Sequence, residues 1–354
     1  MGFDLDSLVR ENVRRLVPYS SARGEFSGTA QIFLDANENS LGSPIAEDYS
    51  RYPDPMQAAV KGKIAEINGV RPQDVFVGNG SDEAIDLLFR IFCRPQIDNV
   101  LICPPTYGMY EVAAGLNDVA VRRVNLTSEF ELDPDAVQRG AGENTKLIFL
   151  CSPNNPTGNS IDRESVLGVL NTFQGIAVVD EAYIHFSDES SLIPGIKSYR
   201  NLVVLQTFSK AWGLAGLRVG LAFANEAVIE LFNKVKPPYN VSQIAQKQIL
   251  AALENRDQVD LGIANIVKER KALSDRLSRI ACVKQVYPSD ANFLLVKVVD
   301  ANDVYRFLLD ERIVVRNRST IELCEGCLRV TVGTPHENEA LIRALEKYEK
   351  SPIY

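Results

Sequence analysis

The sequence predicts an α/β protein. A large domain would hold a mostly parallel sheet flanked by helices, and a smaller α+β domain would follow it. Three observations lead there. From Val75 to Phe223, short apolar runs alternate with turns and helix-period segments. Those runs are continuously apolar instead of alternating with polar residues, as in strands covered on both faces. Beyond about residue 280 the pattern loosens into shorter strands and two helices, and 354 residues are too many for one small core. The expected division is an N-terminal segment, 1–40, joining the small domain, a large domain at 41–265 and a small domain at 266–354.

Taken in order, Leu5, Leu8, Val9, Val13 and Leu16 recur at helical spacing before Pro18, and Gln31–Leu34 reads as a strand. Val75–Val77 is a strand, residues 78–83 form a Gly-rich turn, and Ala84–Phe92 is a helix with Ile85, Leu88, Phe89 and Phe92 on one face. Strands follow at 100–103, 119–124 and 146–150, then a helix from Asp162 to Phe173. The apolar runs at 175–179, 202–205 and 219–223 complete the large sheet. Helical patterns cover 225–235, 241–253 and 257–280. The last part reads as strands near 283–286, 293–296, 313–315 and 328–332, with helices at 302–309 and 336–349.

Formal net charge is −8 and no basic block stands out, which argues against nucleic acid or an anionic membrane as partner. No apolar run approaches the roughly 18 residues that span a bilayer, and the acidic N-terminus lacks the layout of a secretory signal. The six scattered cysteines fit reduced thiols and a cytoplasmic protein. Cys324 and Cys327 have metal-ligand spacing, but a closed zinc site needs four ligands. With no second such pair and only two histidines, no metal is expected.

The chemistry concentrates at strand ends, where ligands of open α/β sheets bind. Lys210 follows the run 202–205, beside Ser209 and eight residues before Arg218, with glycines at 213, 216 and 220 along the way into the next apolar run. A lysine so placed can form a Schiff base, and Ser209 with the planar fork of Arg218 can hold a phosphate. Asp180 ends a buried strand, where a carboxylate is costly unless paired. A protonated ring nitrogen would suit it; a helix cap or salt bridge is the plainer alternative. The turn at 78–83, with Ser81 and Asp82, opens a helix and is a ready anion site. Tyr107 leaves the strand at 100–103, and two prolines fix the loop carrying Asn155. In the small domain, Arg316 follows 313–315 and Arg329 alternates with apolar residues. Each would be satisfied by a bound carboxylate or phosphate, or by a salt bridge across the sheet.

The order and spacing of several blocks resemble the histidinol-phosphate aminotransferase family, fold-type I enzymes that use pyridoxal 5′-phosphate. The blocks are Pro18–Arg23, Leu34–Asn39, Arg51–Asp54, Pro104–Tyr110, Ser152–Gly158, Val179–Tyr183, Thr207–Lys210 and Leu328–Gly333. Ser40 departs from the proline usual there. The resemblance implies that Lys210 carries the cofactor, that Asp180 pairs with the ring nitrogen, and that Asn155 and Tyr183 bond its phenolic oxygen. It implies that Tyr107 stacks on the ring and that Ser81, Asp82, Thr207, Ser209 and Arg218 surround the phosphate. Tyr52 would reach the phosphate of a neighbouring subunit, making a homodimer with composite sites. Arg329, Arg316, Tyr19, Arg23 and Asn37 would meet the substrates, histidinol phosphate in one half-reaction and glutamate or 2-oxoglutarate in the other. A threonine-phosphate decarboxylase or an aromatic amino-acid aminotransferase would share most of these groups.

Overall fold

The structure is a computed structural model that describes residues 3–19 and 32–350. Seven strands form the main sheet: β1 (Val75–Gly78), β2 (Asn99–Ile102), β3 (Ala120–Arg123), β4 (Thr145–Cys151), β5 (Ile176–Asp180), β6 (Leu202–Thr207) and β7 (Gly220–Ala224). Their order is β1-β7-β6-β5-β4-β2-β3. The pairs β2·β3, β2·β4, β4·β5 and β5·β6 are parallel. Only β7 runs against the rest, antiparallel to both β1 and β6. Two antiparallel steps leave β1 pointing the same way as β6, so the carboxyl ends of β1, β2, β4, β5 and β6 share one edge.

The continuous apolar runs have the expected cause. Val77, Ile148, Val179 and Val204 pack into a core on one face, with Ile64, Val169 and Ile249 from the covering helices. Phe76, Phe149, Val178 and Val203 pack on the other face, with Leu88, Ala113 and Phe232. Burying such side chains on both sides contributes about 25 cal/mol per Å² of apolar surface removed from water.

A second, antiparallel sheet is ordered β10-β11-β9-β8, built from β8 (Val283–Val286), β9 (Phe293–Val298), β10 (Arg316–Asn317) and β11 (Cys327–Thr331). Helices Ala301–Asp310 and Pro335–Lys350 close its own core around Leu294, Val304, Leu328 and Leu341. The helix Arg256–Leu277 runs into this core through Leu273 and Leu277.

Several expected elements differ. The N-terminal helix is two short pieces, Leu5–Leu8 and Glu11–Arg15. The break falls at Arg10, whose backbone N–H donates to Ile91 O at 3.0 Å, so docking overrides the helical period. Residues 32–34 are not a strand. Residues 313–315 are not one either: the Ile313 N–H is spent on Leu308 O at 2.8 Å, closing the preceding helix. Helices at Ala58–Asn68, Met109–Leu116 and Pro134–Gly140 were not anticipated. Among the described residues, no helix is long and apolar enough to cross a membrane.

Candidate active site

A cavity of about 540 Å³ opens at the shared strand edge and is closed on one side by the small sheet. It gathers most of the residues singled out above: Ser81, Asp82, Tyr107, Asn155, Asp180, Tyr183, Thr207, Ser209, Lys210, Arg218, Arg316 and Arg329.

Asp180 is the last residue of β5 and only 2% exposed. The Ala182 N–H donates to its Oδ1 at 3.1 Å and the Tyr110 hydroxyl to its Oδ2 at 2.7 Å. Burial pushes its carboxyl above the usual range, and the Tyr110 bond opposes that shift. No cation pairs with it among the described residues, so a buried carboxylate waits at the cavity floor for a positive partner. Tyr110, fully buried against Phe149, was not singled out from sequence because its contact with Asp180 spans 70 residues.

Lys210 lies on the turn after β6, its Nζ 5.4 Å from the centre of the Tyr183 ring. Burial lowers its pKa, Arg329 lowers it further, and Asp180 and Asp82 act the other way. A lysine so placed loses its proton more readily and becomes a better nucleophile and base. Above it, Asn155 donates from Nδ2 to Tyr183 Oη at 3.5 Å and accepts at Oδ1 from Arg329 Nη1 at 2.5 Å. The Arg329 contact fixes which way the amide faces. The Asn155 loop is held by Asn154, which donates to Pro105 O at 2.7 Å and to Thr157 Oγ1 at 2.8 Å.

A second group of side chains forms an anion cradle. The helix Ser81–Phe92 begins here with no side-chain cap, leaving its N-terminal N–H groups for a ligand. The Thr207 hydroxyl donates to Ser209 Oγ at 3.0 Å, and Arg218 Nη1 donates to Ser209 Oγ at 3.4 Å. Arg218 Nη2 lies 3.5 Å from Asp82 Oδ2, and the Tyr107 hydroxyl donates to Asp82 Oδ1 at 3.2 Å. Close backbone approach shapes the cradle: a Cβ on Gly220 would stand 2.1 Å from Ser81 N, and one on Gly80 2.8 Å from Arg218 Nη2. A planar ring bearing an aldehyde, a basic nitrogen and a phosphate fits these groups, with lysine, buried acid and cradle each facing one function.

On the roof, Arg316 and Arg329 are direct partners across β10·β11. Like charges directly opposite are destabilising, and no carboxylate separates them among the described residues. The salt-bridge alternative for these two arginines is therefore set aside. Arg318 also lines this wall and was not singled out from sequence.

Other expected residues lie elsewhere. Tyr52 and Asn37 line a separate cavity of about 580 Å³, where Tyr52 stacks on Tyr239 with ring centres 4.4 Å apart. Tyr19 is 76% exposed and does not line the main cavity. Arg23 lies outside the described residues. All six cysteines are free and buried, Cys327 beginning β11, and no cluster among the described residues could hold a metal.

Comparison with known proteins agrees with this geometry. The aminotransferase class I and II family matches residues 30–345. A histidinol-phosphate aminotransferase of Cytophaga hutchinsonii is 50% identical over 98% of this chain and 100% of its own. The solved histidinol-phosphate aminotransferase of Clostridium acetobutylicum superposes with a TM-score of 0.78 at 25% identity, covering 85% of this chain and 91% of that one. The L-threonine-O-3-phosphate decarboxylase of Porphyromonas gingivalis superposes at 0.73 with 26% identity, covering 85% and 91%. The chain belongs to the class I and II aminotransferases, among the histidinol-phosphate aminotransferases.

Proposed function

We propose that this chain transfers the amino group of histidinol phosphate to 2-oxoglutarate, with pyridoxal 5′-phosphate as cofactor, in histidine biosynthesis. The products are imidazole acetol phosphate and glutamate. The observation that carries the reading is one cavity holding a lysine with lowered pKa, a buried unpaired carboxylate and two facing arginines.

When bound, the cofactor supplies an aldehyde for the lysine and a ring that draws electrons away from the substrate carbon. Lys210 Nζ then takes the proton from the amine-bearing carbon and returns one later, as base and then acid. Its lowered pKa keeps a neutral fraction for the first role. Asp180 holds a proton on the ring nitrogen, which makes its costly burial useful. Asn155 and Tyr183 would orient the ring, Tyr107 would stack on it, and Ser81, Asp82, Thr207, Ser209 and Arg218 would hold the phosphate. Arg316 and Arg329 bind the substrate's phosphate or carboxylate, since a guanidinium fork fits either oxyanion.

Our reading of the assembly is a cytoplasmic homodimer in which Tyr52 reaches the partner's cofactor phosphate, and Tyr19, Arg23 and Asn37 belong to the completed substrate pocket. We divide the chain into a segment 1–40, a large domain 41–265 and a small domain 266–354. The test is an assay of purified protein with histidinol phosphate and 2-oxoglutarate. Glutamate formation that needs both is expected. Carbon dioxide release without an oxo acid would favour a decarboxylase, and faster turnover of phenylalanine an aromatic aminotransferase.

A further inference from the structure

Arg318 has surroundings that are unusual for an arginine. It follows β10 directly and stands two residues after Arg316, so on extended backbone both project to the same side. Its backbone is pinned at both ends. The Arg318 N–H donates to Cys327 O at 2.9 Å, and its carbonyl accepts from the Ile321 N–H at 2.9 Å. The side chain lines the cavity wall with Arg316, Arg329 and Ile321.

The Arg318 Nε is buried and has no hydrogen-bond partner among the described residues. An unpaired buried N–H is costly, and more so on a charged group. Burial lowers its pKa, and the charges of Arg329 and Arg316 lower it further. Two neighbours whose ionised forms would offset this are Cys324 and Tyr183. Both are held neutral, because burial pushes the Cys324 thiol up to about 12 and raises the Tyr183 phenol well above its ordinary range. Three guanidinium groups thus share one cavity wall, and none of the three pairs with a carboxylate among the described residues. A phosphate monoester carries close to two negative charges at neutral pH and three terminal oxygens, whereas a carboxylate offers one charge and two oxygens. Two forks saturate a carboxylate; a phosphate has acceptors left for a third.

We infer that Arg318 is a specificity residue of the substrate-anion subsite, engaged by the dianionic phosphate of the amino donor and not by a monoanionic carboxylate. The identity of that donor rests on the function proposed above; the anion preference does not.

The test uses holoenzyme carrying Arg318→Gln and Arg318→Lys. For Arg318→Gln, the KM for histidinol phosphate should rise about tenfold or more, the loss of a charge-assisted hydrogen bond. The KM for glutamate should change less than about threefold, with kcat and the cofactor's visible spectrum intact. Arg318→Lys should recover part of the loss, because it restores charge without the fork. A second arm measures binding of methyl phosphate and of acetate by calorimetry. Arg318→Gln should weaken methyl phosphate about tenfold and leave acetate unchanged. Equal losses for both anions, or changes in kcat and spectrum with both KM values intact, would overturn the inference. If wild-type holoenzyme does not turn over histidinol phosphate, the proposed function fails. The calorimetric arm then decides on Arg318 by itself: unaltered methyl phosphate binding in Arg318→Gln refutes it.

Discussion

Asp180 sets catalysis against stability within one side chain. Its folded pKa is raised by burial, so its contribution to folding is present at low pH and is lost as pH rises through the raised value. At neutral pH the ionised form therefore costs the cofactor-free protein stability. Asp180→Asn should leave the apoprotein as stable as wild type or more so, while turnover falls by about 100-fold or more. Thermal melts of apoprotein beside kcat measurements check this. An apoprotein melting well below wild type with near-normal turnover would make Asp180 a structural residue instead. Lys210→Ala should abolish the visible cofactor band and borohydride-stable attachment, and lower turnover by at least about 10³-fold. Absorbance spectra and single-turnover rates read both. These two residues were legible in the sequence because Asp180 directly ends one apolar run and Lys210 lies on the short turn that leaves another, which places both at strand ends. Tyr110 and Arg318 were not, because their meaning lies in surroundings that the chain makes only when folded: a hydroxyl on a distant carboxylate, and a buried Nε with no hydrogen-bond partner among the described residues.

The elements show the same division. Six of the seven strands of the main sheet fall where continuous apolar runs occur, because burial on both faces leaves an unbroken signature; the edge strand β3, with two arginines and mostly exposed, shows only a weak alternation. Weaker patterns failed. The helix Ala58–Asn68 carries Lys61 on its buried side, which hides its apolar stripe, and Met109–Leu116 is short and rich in alanine and glycine. The antiparallel insertion of β7 between β1 and β6 was not legible either, since strand order depends on where the chain crosses. That insertion matters for the site: β7 begins at Gly220, packed against the start of helix Ser81–Phe92. A methyl group at 220 would have to displace the Ser81 backbone. Gly220→Ala should therefore cost about 1–3 kcal/mol of stability, the usual price of overpacking. It should also weaken cofactor affinity by about tenfold or more, since the N–H groups of the cradle move with Ser81. Denaturant melts and cofactor titration measure the two effects. A stability loss with unchanged cofactor affinity would show that the cradle does not depend on this contact.

At the scale of the whole molecule, the exposed apolar side chains are not spread evenly. Leu16, Val17, Tyr19, Ile32, Leu34, Leu41, Ile45, Tyr52 and Met56 all lie in the first stretch of the chain, several of them more than three-quarters exposed. Under the homodimer proposed above, this stretch would supply apolar side chains to the subunit interface. Tyr52 sits within it, stacked on Tyr239, and the segment beneath is tied down by Lys236, whose Nζ donates to Pro55 O at 2.8 Å and Pro238 O at 2.9 Å. The aromatic pair is thus held at the surface, away from the cavity of its own chain. In a two-fold dimer, what one subunit presents its partner presents in return, so each Tyr52 can serve the other's site. This predicts complementation. Tyr52→Ala and Lys210→Ala proteins should each be weak or inactive alone. Unfolded together and refolded, half of the dimers are mixed, and each mixed dimer holds one site with an intact Lys210 and an intact Tyr52. Activity should recover to about one quarter of wild type at equal mixing. A mixture no more active than the mean of its two parents would place Tyr52 in service of its own chain.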